Sequence, residues 1–234
     1  MRPIGFSTGA LAYADFRQGL AIIREHNLRT VELSALREAE LQPLVESLDD
    51  LPLAEFGHIS FHAPSHLQTV SEERVIELLT RVAEKNWPII VHPDVIQTFE
   101  RWDAFEGLLC IENMDKRKPI GRTARELGPI FEKLPRASFC FDLGHVRQVD
   151  PTMSVALEIL ERFGPRLCQL HVSEVNTQSQ HDALTFETAL AFQKISALIP
   201  ETVPVILESR VTPDRVDAEV RHCREALAVF AAAS

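Results

Sequence analysis

The sequence predicts a single (β/α)8 TIM barrel over residues 1–234, and three observations predict it. Short apolar runs alternate strictly with helix-start signals, which implies parallel strands joined by right-handed helical crossovers. The repeat takes about 29 residues and occurs eight times in 234, the number of units that closes a parallel sheet on itself. No glycine-rich dinucleotide fingerprint accompanies it, which removes the main support for an open, doubly wound sheet.

Taken in order, the first strand is 3–7, and Asp15 with Gln18 fits a capping box for a helix reaching 26–27. The second strand is 30–33, followed by a helix near 39–48 with Pro43 early enough to be tolerated. A third strand at 59–62 precedes a Ser71-capped helix through 85, and a fourth at 89–92 precedes a helix around 96–105. Strand five is 108–112. Thr123 and Glu126 then box a helix that ends near 133 and leads into 138–142, an aromatic-rich run expected to be buried on both faces. Asp150-Pro151 starts the sixth helix; 167–171 and 205–208 are strands seven and eight, with helices started by Thr185 and by Thr212-Pro213.

Hydrophobic residues make up 45% of the chain, an ordinary globular share, and 24 basic against 34 acidic side chains give a net charge of -10. Such a charge offers no general attraction to nucleic acid or to an anionic membrane surface. Cys110, Cys140, Cys168 and Cys223 show no Cys-x-x-Cys spacing, and three of them lie in apolar strand-like runs, so reduced structural thiols are expected. There is no signal-type apolar stretch and no window of membrane-span length, so the expected location is cytoplasmic, with no membrane partner.

The strand-end residues are Ser7, Glu32, His62, His92, Glu112, Asp142, His171 and Glu208, seven of which are metal-ligand types. In such a barrel these positions converge on the carboxyl-terminal face, however far apart they lie in sequence. A single histidine at a strand end is commonly a hydrogen-bonded structural residue. Several carboxylates and histidines crowded at one buried rim need cations to offset repulsion and desolvation. Glu112, Asp142, His171 and Glu208 are therefore the expected ligand set, with His62 and His92 as a further pair and Glu32 as a ligand or an orienting group. The histidine content favours Zn, Mn or Fe over Mg, as one or two ions. His26, His58 and His222 fall at a helix end, a strand start and mid-helix and read as structural, while His66 in a site-side loop stays open.

Phe61-His62-Ala63-Pro64, Val91-His92-Pro93, Ile111-Glu112-Asn113, Phe141-Asp142-Leu143-Gly144-His145, Leu170-His171-Val172-Ser173 and Leu207-Glu208 occur in this order. Together they resemble the xylose isomerase-like barrel superfamily, over essentially the whole chain. That superfamily contains sugar isomerases and epimerases, and the endonuclease IV group of DNA-repair phosphodiesterases. Resemblance to the first branch implies one divalent metal on Glu112, Asp142, His171 and Glu208. It further implies proton transfer through a metal-stabilised enediolate, with Glu112 and Glu208 as base and acid and His145 at a substrate oxygen. Resemblance to the second implies that the same four hold one zinc, that His62 and His92 hold another bridged by Glu112, and that His145 and His181 belong to a third. In Ser179-Gln180-His181 a serine stands where that branch has an aspartate, so two metals are expected rather than three, enough for in-line hydrolysis of a phosphoester.

Lys116-Arg117-Lys118 with Arg122 is the one basic cluster, and Asn113, Lys116 and Arg210 are the expected contacts to a small phosphate-bearing substrate. Residues 172–184 form the longest loop, expected to be a polar lid carrying His181. A duplex-binding enzyme needs basic loops and aromatic wedges, which these short loops lack. The expectation is a metal-dependent sugar or sugar-phosphate isomerase or epimerase acting on a small carbohydrate. An endonuclease IV-like hydrolase is the alternative, and a barrel that binds a metal or ligand without turning it over is the third reading.

Overall fold

The computed structural model describes residues 2–229. Its strands are Ile4–Ser7 (β1), Thr30–Ser34 (β2), His58–His62 (β3), Ile89–Val91 (β4), Leu109–Glu112 (β5), Ser138–Asp142 (β6), Leu167–Val172 (β7), Glu174–Val175 (β8), His181–Asp182 (β9) and Val205–Leu207 (β10). Eight of them close into a parallel barrel in the order β1-β10-β7-β6-β5-β4-β3-β2, while β8 and β9 pair as a small antiparallel hairpin. The barrel strands are buried along almost their whole length, which is why they read as apolar runs rather than as an alternating pattern.

The helices are Thr8–Leu11 (α1), Phe16–Glu25 (α2), Glu38–Ser47 (α3), Glu72–Ala83 (α4), Phe99–Trp102 (α5), Ala124–Lys133 (α6), Leu143–Val149 (α7), Ser154–Phe163 (α8), Phe186–Ser196 (α9) and Val216–Ala226 (α10). The side chains of Asp15, Ser71, Thr123 and Thr185 each accept a bond from a first-turn backbone N–H, as their sequence signatures require. Among the described residues no helix is long and apolar enough to cross a membrane.

Three elements depart from expectation. Pro43 sits in the interior of α3 rather than in its first turn, so the helix forgoes a backbone bond there. The helix expected around 96–105 is broken into short turns because Glu72 captures its donors. That carboxylate accepts from Gln97 N at 2.6 Å, Thr98 N at 3.0 Å and Trp102 Nε1 at 2.7 Å, and Glu106 then kinks the chain at φ 54°. The expected sixth helix is split: α7 springs directly from β6, and Met153, at φ 69°, separates it from α8.

The period-two geometry of strands sorts the barrel interior into layers. Beneath the rim, register pairs Gly5 with Ile206, Glu32 with Ser60, Ile90 with Cys110 and Cys140 with Gln169. Glu32 is thus one layer deeper than its assignment as a strand-end residue. This layer carries Glu32, Ser60 and Gln169 where such barrels usually hold branched aliphatics. At Gly5 a Cβ would lie 1.7 Å from the Thr30 carbonyl oxygen, so β1 approaches β2 only because residue 5 has no side chain. Gly5→Ala is expected to lower stability by about 3 kcal/mol, an overpacking cost read as a shifted urea midpoint at unchanged slope.

Candidate metal centre

Each barrel strand delivers its last inward side chain to one rim, where His62, His92, Glu112, Asp142, His145, His171 and Glu208 are all buried. His92 and Glu208 stand one residue beyond β4 and β10. Asp142 ends β6 and also starts α7, where its Oδ1 accepts from His145 N at 2.6 Å. That turn is tight: a Cβ on Gly144 would meet Val175 Cγ2 at 2.6 Å and Ser173 O at 2.7 Å, so glycine lets α7 pass close to the hairpin and sets His145 over the rim.

Glu112 is the hub. Its Oε2 lies 3.2 Å from His62 Nε2 and 3.1 Å from His92 Nε2, while Oε1 lies 3.1 Å from His171 Nδ1 and 3.5 Å from His145 Nδ1. Four overlapping groups have donor atoms within 4.8 Å of one another: His62-His92-Glu112, Glu112-Asp142-His171-Glu208, His62-His171-Glu208 and Asp142-His145-His181. His181 Nδ1 is 3.3 Å from Glu208 Oε2 and 2.8 Å from Ser173 Oγ. Ser179 turns away and accepts from Gln148 Nε2 at 2.7 Å, so the last group gathers on Asp142 instead.

Burial works against the charge on Glu112, yet His171, His92 and His62 hold it well below the usual carboxylate range. Burial and the charge of Glu112 push Asp142 and Glu208 up to about 8. Burial likewise takes His92 down to about 4 and, with His145 beside it, His181 down to about 3. Buried Asp142 Oδ2 and His92 Nδ1 have no hydrogen-bond partner. Three carboxylates repelling one another, two of them pushed towards neutrality, with His92 and His181 held neutral by burial, make a donor set that fits divalent cations.

Deeper in the barrel, Glu32 Oε2 accepts from Ser60 Oγ at 3.0 Å and Gln169 Nε2 at 2.7 Å, and faces His171 Nε2 at 3.0 Å. Glu32 therefore orients a ligand-type side chain rather than joining the rim. Ser60 and Gln169 went unnoticed in the sequence, although counting back two residues from His62 and from His171 finds them, and Ser173 stands there only as part of the strand-seven motif.

The three expected substrate contacts are placed differently from one another. Asn113 is fully buried and clamps β5 to β6: its Nδ2 donates to Asp142 O at 2.9 Å and its Oδ1 accepts from Asp142 N at 2.8 Å. Lys116 is exposed and outside the central cavity, whereas Arg117, Lys118 and Arg210 line it. Lys118 is itself occupied by Asp94, at 2.8 Å, and by the Ser65 carbonyl. The cavity, of about 370 Å³, opens over Glu112, with His66 on its wall. The 172–184 loop carries the β8–β9 hairpin, anchored by Gln148 and by an Arg147–Glu174 pair at 2.9 Å.

No protein-family model and no curated protein sequence matches the chain. Solved structures do. Endonuclease IV from Thermus thermophilus superposes with a TM-score of 0.62 at 16% identity, covering 97% of this chain and 99% of that one. The 3-keto-D-glucoside 4-epimerase of E. coli gives 0.58 at 12% identity, over 97% and 99% of the two chains. An L-ribulose 3-epimerase gives 0.53 at 15% identity, over 94% and 86%. What the chain shares with them is the fold, a closed eight-stranded parallel barrel. Identities this low carry the fold and no activity, so function has to be argued from the rim itself.

Proposed function

We propose that this barrel is a metal-dependent hydrolase of a small phosphoester, with two divalent cations held on either side of Glu112. The observation that carries the reading is the split of that carboxylate, Oε2 towards His62 and His92 and Oε1 towards His171. Under this reading His62, His92 and Glu112 are one ligand set and Glu112, Asp142, His171 and Glu208 the other, a mixture of nitrogen and oxygen donors that suits Zn, Mn or Fe. Held by these residues, such ions would supply Lewis acidity towards a phosphoester oxygen and would lower the pKa of a water towards neutrality.

The protein supplies the rest. Glu32 holds the ring of His171, Ser173 holds that of His181, and Asn113 fixes the spacing of Glu112 and Asp142 by tying their strands together. Arg210, exposed at the mouth of the cavity, is placed to meet a phosphate. A cavity of about 370 Å³ and a net charge of -10 suit a small molecule better than a DNA duplex.

An isomerase or epimerase acting on a sugar or sugar phosphate is the second reading. What favours it is the convergence of Glu112 and Glu208, a base and an acid, in the one group with Asp142 and His171. Metal analysis after loading with zinc or manganese separates the two. The hydrolase reading expects two ions per chain; His92→Ala is expected to leave one and to lower turnover of a nitrophenyl phosphodiester at least about 100-fold. One ion per wild-type chain, with solvent exchange at a carbon of a keto-sugar in heavy water, would reverse the order of the two.

A further inference from the structure

We propose that His58, at the amino-terminal end of the barrel, is a positioning residue for the rim at the opposite end, acting through Gln169 and Glu32 on the ring of His171. The inference rests on the metal reading above and extends it to side chains that touch no candidate ligand atom. His58 begins β3 and His62 ends it, so the two are about 13 Å apart along the strand.

A hydrogen-bonded column joins His58 to His171, at the same rim as His62, through the barrel interior. His58 Nε2 lies 2.8 Å from Gln169 Oε1, Gln169 Nε2 lies 2.7 Å from Glu32 Oε2, and that same oxygen lies 3.0 Å from His171 Nε2. The direction of each bond follows from the chemistry of the groups. An ionised carboxylate only accepts, so the end of the Gln169 amide that faces Glu32 is its NH2 and the end that faces His58 is its oxygen. His58 must then carry its hydrogen on Nε2. At the other end of the column His171 must donate from Nε2 to Glu32. Nδ1, 3.1 Å from Glu112, is left as the one nitrogen of that ring with a lone pair to give a cation.

His58 is what makes the amide orientation unique. Gln169 Nε2 is also 3.1 Å from His171 Nε2. With no donor at position 58, the amide can turn over. Its oxygen would then face Glu32 repulsively and compete with Glu32 for the hydrogen on His171 Nε2. The ring would be held in two ways instead of one, which accounts for a polar column in a barrel layer that is usually aliphatic.

The test is zinc affinity by chelator competition, together with long-range 1H–15N spectra of the zinc-loaded protein. Wild type is expected to show a single His171 ring with its hydrogen on Nε2. His58→Phe is expected to weaken one of the two zinc constants about tenfold, leave the other unchanged, and give a second set of His171 signals. His58→Gln, which restores a donor, is expected to return the constant to within about twofold of wild type. If His58→Phe does not fold, Gln169→Met, of the same length and without either amide bond, is expected to give the same loss. A folded variant with wild-type zinc constants and one His171 signal set overturns the inference while leaving the metal reading standing. A wild-type protein that binds no zinc overturns both.

Discussion

Glu112→Gln is expected to cost at least about 1000-fold in kcat/KM and to empty one or both metal positions, the largest effect of any single substitution at this site. The size follows from the contacts. Glu112 is 1% exposed and faces the nitrogens of four histidines, from His62 and His92 on one oxygen and from His171 and His145 on the other. Glutamine keeps the shape but offers one acceptor oxygen in place of two and carries no negative charge, so on one side of residue 112 an NH2 replaces an anionic oxygen. It also removes the only carboxylate shared by the two ligand groups, so both lose charge at once. Metal content and turnover, measured on the same sample, read the result. Two ions per chain at wild-type turnover would show that Glu112 bridges nothing.

The barrel was legible because it depends on repetition. Eight apolar runs separated by caps at Asp15, Ser71, Thr123 and Thr185 determine strand number and connection type, and closure follows. The rim was legible for the same reason: a strand end is a position that can be counted. What sequence did not reveal was where a side chain turns once it arrives. Asn113 looks like a substrate contact until its amide is seen bonding both backbone atoms of Asp142, and Lys116 and Lys118 are indistinguishable until one is found buried against Asp94. Glu32 was counted with the rim because β2 runs two residues past it, and only register with Ser60 shows its depth. The helix expected around 96–105 failed through a contact with Glu72, some 25 residues away in sequence, which no local propensity records.

Loading the centre with metal is expected to release at least two protons at pH 7, and to bind more tightly as pH rises towards 8. Asp142 and Glu208 are pushed up to about 8 by burial and by the nearby charge of Glu112, so the metal-free protein keeps both largely protonated at neutral pH. Burial opposes the charged form of His171, but the carboxylates of Glu32, Glu208 and Glu112 raise it well above its ordinary value, and it too must give up a proton before Nδ1 can act as a ligand. The same groups set the stability of the metal-free protein. Each has a folded value above its unfolded one, so the folded state holds protons that the unfolded chain has released. Their contribution is present at low pH and is lost as pH rises through about 8 for Asp142 and Glu208. Metal-free protein is therefore expected to lose stability between pH 7 and 9, a window above the range where the depressed His92 and His181 act, and metal is expected to restore it. At a thousand times Kd, the restoration amounts to about 4 kcal/mol. Calorimetric titration in buffers of different ionisation enthalpy counts the protons, and melting of metal-free and loaded protein across the same window reads the sign. Release of fewer than one proton, or metal-free stability that rises from pH 7 to 9, would mean that the rim carboxylates are already satisfied without a cation.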